Sequence, residues 1–353
     1  MTDYSHSAAG FVPLSVLDVA PVPEGSTVGD ALRNSIDLAQ HAERWGFRRY
    51  WVAEHHNMPG IASSSPPVLI SHIAAATSTI RVGAGGVMLP NHAPLAVAEQ
   101  FGMLEAFHPG RIDLAIGRAP GTDAITASAL RRGGSLAAED FPDQMNELVG
   151  HFQGSLPADH PYRSIHATPA LGNMPALWML GSSDFGAQAA GLWGLPYAFA
   201  HHFSPNNTMA AARIYRDSFE PSALLDHPYL MIAVSVLCAP TDEEADYLAG
   251  SGRLSFLRLR TGRPGRVPSP ADAAAYPFTP GELAAIRGWT GSHIVGSPAT
   301  VEAGLRELQS RTGADELMIT SSTWEHAHRI RSYELVAEMF ELTSSTTSRQ
   351  PSS

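Results

Sequence analysis

Tyr50-Trp51-Val52-Ala53-Glu54-His55-His56-Asn57 opens the stretch whose reading decides the fold. It is followed by Ile80-Arg81-Val82-Gly83-Ala84-Gly85-Gly86-Val87, and then by Ile112-Asp113-Leu114-Ala115-Ile116-Gly117-Arg118. Three strand-like runs in succession thus end on chemically special clusters. A parallel α/β barrel gathers its active site at the C-terminal ends of its strands, which is the arrangement these runs imply.

Working outward, eight segments have strand character: Leu14–Asp18, Tyr50–Ala53, Ile80–Val87, Ile112–Ile116, Leu177–Leu180, Tyr197–Ala200, Leu230–Leu237 and Glu316–Thr320. Most are near-continuous apolar runs, as expected of strands buried on both faces. Helical stretches alternate with them. From Val28 to Trp45, Leu32, Ile36, Ala39 and Ala42 recur at helical spacing, with Thr27 and Asp30 as an N-terminal cap and Gly46 as the stop. Pro298 to Arg311 follows Ser297 as cap and ends before Gly313; Ala93–Ala106, Asp184–Trp193 and Glu325–Leu342 fill further connections. The alternation predicts a (β/α)8 TIM barrel. A doubly wound sheet is the alternative, but no Gly-x-Gly-x-x-Gly turn follows the first strand. Residues 1–342 read as one domain and the Ser/Thr-rich residues 343–353 as a disordered tail. Ala119 to Gly172 and Ala239 to Ser292 are longer than a barrel loop needs, which marks them as lids or binding loops.

Composition narrows the function. The 353 residues are 44% hydrophobic with a net charge of -11, enough for a large core and unsuited to a phosphate backbone. All 23 basic side chains are arginine, so lysine Schiff bases and a P-loop lysine are excluded. Cys238 is the single cysteine, which excludes a disulfide within the chain, a cysteine zinc cluster and an iron–sulfur centre. Met1 to Gly10 lack the pattern of a signal peptide, and no apolar run is long enough to span a membrane. The expectation is a soluble protein of the cytoplasm.

The clusters carry the chemistry. Neighbours on a strand point to opposite faces, so His55 and His56 are poorly placed to chelate one metal, and His201-His202 has the same limitation. Glu54-His55-His56 at a barrel mouth suits proton transfer instead. Gly83-Ala84-Gly85-Gly86 interrupts a strand, which signals either a bulge or a flat ring lying against bare backbone. Arg118, followed by Ala119-Pro120-Gly121-Thr122, suits a bidentate grip on phosphate. Gly181-Ser182-Ser183 at the start of a helix offers hydroxyls and free amides to the same anion, although Ser183 as a simple helix cap is the alternative. Asp18 ends the first strand, facing either the mouth or a barrel arginine. Trp178, Phe199, Met231 and Met318 read as core, and Cys238 receives no role.

These segments, with His92-Ala93-Pro94, Ala98-Glu99, Pro109-Gly110-Arg111, Gly194-Leu195-Pro196 and Val295-Gly296-Ser297-Pro298, resemble bacterial luciferase-like flavin monooxygenases. The similarity covers nearly the whole chain and is nearest to the single-subunit branch associated with natural-product tailoring and with aldehyde or ketone oxidation. It implies a (β/α)8 barrel holding reduced FMN, whose flavin peroxide passes one oxygen atom of dioxygen to a small organic substrate. It places a cis Gly85-Gly86 peptide beneath the ring and Arg118, Ser182, Ser183 and Gly186 on the phosphate; Ala84 and Asp18 stand beside these as further cofactor-binding candidates. It makes His55 the acid–base group, oriented by His56 or Glu54. Gly117 stands where luciferase has a reactive cysteine, which implies chemistry without light. A separate flavin reductase and a homodimer formed through barrel helices are further implications. Deazaflavin-dependent hydride transfer, a non-catalytic flavin-binding relative and a metal-dependent hydrolase remain as alternatives, and the Ala239–Ser292 loop is the expected shield over the mouth.

Overall fold

The computed structural model describes residues 11–131 and 140–342, so the expectations for the N-terminal ten residues and for the tail at 343–353 lie outside the described residues. Nine strands form the sheet: β1 (Leu14–Asp18), β2 (Arg49–Val52), β3 (Arg81–Met88), β4 (Ile112–Gly117), β5 (Ala176–Gly181), β6 (Tyr197–Ala200), β7 (Leu230–Cys238), β8 (Ile294–Gly296) and β9 (Glu316–Thr320). Every strand pairing is parallel. β1 pairs with β2 and β9, β9 with β7, and β7 with β6, so eight strands close into a barrel. β8 stands outside the ring, paired only with the far end of β7 at Val236–Cys238. The fold is the (β/α)8 barrel.

Around it run α1 (Val28–Trp45), α2 (Pro66–Ala76), α3 (Pro94–Phe107), α4 (Ala124–Arg131), α5 (Phe141–Gln153), α6 (Asp184–Leu192), α7 (Thr208–Asp217), α8 (Asp242–Arg260), α9 (Pro270–Ala275), α10 (Pro280–Thr290), α11 (Pro298–Thr312) and α12 (His326–Met339). α1 begins and ends where its sequence signals lie. The Thr27 hydroxyl accepts from the Asp30 amide at 3.1 Å, the Asp30 carboxylate accepts from the Thr27 amide at 3.0 Å, and Gly46 is left-handed at φ 89°. Ser297 precedes α11 without capping it through its side chain; instead its amide donates to the Asp242 carboxylate at 2.6 Å. Of the two long connections, the described residues of Ala119–Gly172 hold α4 and α5, while Ala239–Ser292 is largely helical as α8, α9 and α10.

The period of two along each strand sorts the core. Leu14, Val16, Tyr50, Val52, Val82, Ala84, Leu114 and Ile116 face outward into the main cluster against the helices. Leu17, Trp51, Ala115, Trp178, Met231 and Met318 face inward and fill the waist of the barrel. Above that waist the inward positions shrink to Ala53, Gly85, Gly117, Ala200 and Ala233, and the space they give up is the mouth cavity. Below it lies a charged floor. The Arg49 guanidinium donates from Nε to both Glu316 oxygens at 3.1 and 3.2 Å and from Nη1 to Asp113 at 2.9 Å, with all three side chains fully buried. Arg81 and Trp51 also donate to Asp113, and the Tyr229 hydroxyl donates to Glu316.

Candidate active site

The mouth cavity, about 340 Å³, is reached by the C-terminal ends of all eight barrel strands. His55, two residues beyond the inward-facing Ala53, keeps the same parity and lines it. Its Nδ1 is buried without a protein partner, and its ring meets Phe203 edge-on at 6.5 Å between centroids. Burial lowers the pKa of His55 from its ordinary 6.5; a backbone hydrogen bond at Gly121 and the Glu54 charge oppose this without winning.

Glu54 and His56 do different work from that expected of them. Glu54 is 1% exposed; its Oε1 accepts from His56 Nε2 at 2.9 Å and from His92 Nε2 at 2.8 Å, and its Oε2 accepts from the Met88 amide at 3.0 Å. Burial raises its pKa, but these bonds, His92 first, hold it below the ordinary carboxylate range. Glu54 therefore braces the end of β2 against the end of β3, and neither it nor His56 hydrogen-bonds His55. His92 was visible only as part of a motif; its role as a brace has no signal in sequence.

The glycine run divides by direction. A Cβ on Gly83 would lie 2.5 Å from the Asp113 carbonyl oxygen, and one on Gly86 would lie 2.5 Å from that of Ala115, so both admit the close approach of β4. Gly85 faces the cavity, where a Cβ would meet Leu17 at 2.9 Å and Trp51 at 3.0 Å. The Gly85-Gly86 peptide is cis, and the pairing with β4 slips between Gly85 and Val87, so the strand carries both a bulge and a bare surface. Ala84 is turned away into the outer core, contrary to its expected place at the cofactor.

Across the mouth, Arg118, Ser182, Ser183 and Gly186 line the same wall. The Arg118 guanidinium stacks on the Phe185 ring at 4.0 Å, and among the described residues no carboxylate pairs with it. Ser183 occupies the N-cap of α6 without a side-chain capping bond, so the hydroxyl is not spent on the helix. A charged fork, two hydroxyls and the amides of a helix start suit a phosphate monoester. Asp18 does not join them. By strand parity it points outward, where it accepts from Arg329 Nη1 at 2.8 Å, the Tyr50 hydroxyl at 2.6 Å and the Ala20 amide at 2.8 Å. Burial raises its pKa, but Arg329 together with hydrogen bonds from Ser35, Tyr50 and Ala20 more than reverses this, so Asp18 is an ion-pair partner in the wall and does not line the cavity.

His202, Phe203, Thr320 and Met318 also line the cavity and were missed as site residues. His202 carries the positional signal that singled out His55, an ionisable group just beyond a strand end. Among the described residues no group of three or more His, Cys, Asp or Glu side chains is placed to hold a metal ion, and no helix is long and apolar enough to cross a membrane.

A closed parallel barrel whose mouth cavity sets Arg118, Ser182 and Ser183 opposite the bare backbone of Gly85 defines the class as a (β/α)8 barrel with its candidate site at the strand ends. A family model described as luciferase-like monooxygenase matches residues 12–316, and the chain belongs to that family. It is 49% identical over 327 residues to the uncharacterized protein YvbT of Bacillus subtilis (strain 168), covering 93% of this chain and 96% of that protein. It is 42% identical over 330 residues to a luciferase-like monooxygenase of Escherichia coli (strain K12), covering 94% and 97%. The crystal structure of apo-MsnO8 is similar with a TM-score of 0.85 and 39% identity, covering 94% of this chain and 99% of that one. An N-acetyl-S-alkylcysteine monooxygenase of Bacillus subtilis is 35% identical over 266 residues, covering 75% and 79%. Two solved structures share the fold alone. The oxygenating constituent of 3,6-diketocamphane monooxygenase in complex with FMN has a TM-score of 0.68 at 19% identity, covering 93% and 98%. An F420-dependent secondary alcohol dehydrogenase has 0.69 at 14%, covering 93% and 99%.

Proposed function

We propose that this protein is a flavin-dependent monooxygenase that takes reduced FMN from a separate reductase and, with dioxygen, oxygenates a small organic substrate. The observation that carries this reading is the pairing, in one cavity, of the Arg118–Ser182–Ser183 anchor with the bare wall at Gly85. Bound FMN supplies the activation of dioxygen, delivering one oxygen atom to substrate and releasing the other as water. The chain contributes the rest. Arg118 and the first turn of α6 hold the phosphate, the apolar upper waist of the barrel keeps water from the reacting centre, and His55 moves a proton at its ring nitrogen. The F420-dependent neighbour shares only the fold, and oxygen uptake coupled to product formation tests the reading against hydride transfer.

The experiment is a fluorescence titration of FMN against the Arg118→Ala variant. Loss of a charge-assisted bidentate contact of about 1.5–3 kcal/mol weakens binding roughly 10- to 100-fold. An unchanged affinity removes the anchor and the proposal with it.

We further propose that the protein acts as a homodimer through α2 and α3. α2 carries no acidic or basic side chain other than His72, and α3 bears only Glu99 and Glu105. Outward from the barrel, Val68, Met103 and Phe107 are 60%, 50% and 73% exposed. A helix apolar on both faces belongs between two cores. Phe107→Glu is expected to convert the dimer to monomer in light scattering without loss of helical signal; a monomeric wild type, or a dimeric variant, ends this assignment.

A further inference from the structure

The mouth cavity does not end at the barrel. It shares His202, Phe203 and Thr320 with a second chamber of about 490 Å³, set between the upper part of β7, the inner face of α8 and the end of α10. Ala249 and Gly252 of α8 line this chamber, and a Cβ added to Gly252 would meet nothing within 4 Å. Glycine inside a helix costs about 1 kcal/mol against alanine, and here the missing side chain leaves volume. Phe203, Val236, Leu237 and Trp289 give the chamber an apolar and aromatic body.

Its charges are already spent. Asp246 pairs with Arg253, and Asp242 accepts from the Ser297 amide at 2.6 Å and the Thr300 hydroxyl at 2.8 Å. The polar groups left over are neutral. Burial pushes His202 and His293 down to about 4, so neither imidazole is charged near neutral pH. His202 Nδ1 donates to the Ala233 carbonyl at 3.0 Å, which fixes the tautomer and leaves Nε2 as an acceptor. His293 Nε2 is buried without a protein partner. An anion placed here would be desolvated and would meet only Arg253, which already pairs with Asp246.

We propose that this chamber is the substrate pocket, and that it takes an uncharged molecule with an apolar or aromatic body and one O–H or N–H group that donates to His202 Nε2 where chamber and mouth meet. The proposal rests on the flavin reading for what happens at the mouth, but its test does not.

The test is calorimetric titration of the full chain, with and without FMN, using para-hydroxyacetophenone, para-methoxyacetophenone and para-hydroxybenzoate. The hydroxy ketone is expected to bind about tenfold tighter than either of the others, the worth of one buried hydrogen bond against its loss or against a buried charge. Gly252→Trp is expected to abolish that binding while leaving FMN affinity unchanged. His202→Phe, which needs no new volume, is expected to erase the difference between the hydroxy and methoxy ketones. Tighter binding of the benzoate, no binding of any of the three at millimolar concentration, or a His202→Phe variant that keeps the preference overturns the proposal. If Arg118→Ala leaves FMN affinity unchanged while the probe order holds, the flavin reading falls and the chamber stands; if FMN binds as proposed and the order fails, the chamber alone falls.

Discussion

Replacing His55 by alanine is expected to lower the rate of substrate oxygenation by about 10²–10⁴-fold, the usual contribution of a positioned acid–base group, while FMN binds as before. The split between binding and chemistry follows from where His55 lies. It reaches the cavity from the end of β2, across from the Arg118 and Ser182–Ser183 wall, and makes no bond to either. Removing it leaves the phosphate anchor whole. In the FMN-loaded variant, oxygen uptake is expected to continue and hydrogen peroxide to accumulate in place of product, because the cavity has lost its proton carrier. The pH dependence has a defined sign. Burial holds the folded pKa of His55 below 6.5, so the neutral ring predominates at pH 7 and above. Activity that needs the neutral ring is flat there and declines only as pH drops through the depressed pKa, and the alanine variant loses this acid limb. Stopped-flow product formation with peroxide quantification reads both effects. An unaltered product rate in the variant removes His55 from the mechanism.

Much of the barrel was legible because its strands are buried on both faces and its helices carry local stop and start chemistry. β1, β6, β9 and α1 fall on the residues their patterns mark, and the other barrel strands differ by a residue or two at their ends. The site is legible as far as strand parity carries. Leu17, Ala53, Gly85 and Gly117 face inward, so His55 at the same parity as Ala53 enters the cavity, whereas Asp18 and Ala84, one step out of phase, enter the outer wall. Parity is legible in sequence and separates these. What sequence does not carry is the partner of an outward-facing charge: Arg329 lies 311 residues from Asp18, and His92 lies 38 from Glu54. The connection between β7 and β8 read as irregular because its prolines and glycines cluster at 262–281, yet those residues punctuate three helices. Proline at a first helical turn looks the same in sequence as proline in a loop.

The charged floor supplies the second large effect. Arg49→Met is expected to destabilise the fold by about 3–5 kcal/mol, the cost of removing one partner from a buried ion pair. The arginine is fully buried and spans the barrel, holding Glu316 at the foot of β9 and Asp113 in β4. Its two partners are not left equally. Asp113 keeps Arg81 at 2.6 Å and Trp51 at 2.9 Å, whereas Glu316 keeps neutral donors from Ser15 and Tyr229, with Arg48 at 4.0 Å. Most of the loss therefore falls on the Glu316 carboxylate, stranded without its nearest cation. A double variant separates this from a packing defect. In the wild type the pKa of Asp113 is below its ordinary 3.8, because Arg49 and Arg81 outweigh the burial that would raise it; its contribution is complete above that value and is lost only as pH falls beneath it. Adding Glu316→Gln to Arg49→Met removes the stranded charge and is expected to recover part of the loss in urea denaturation, a coupling that a cavity alone does not produce. If the double variant is as unstable as the sum of the two single variants, the floor is held by shape and not by charge.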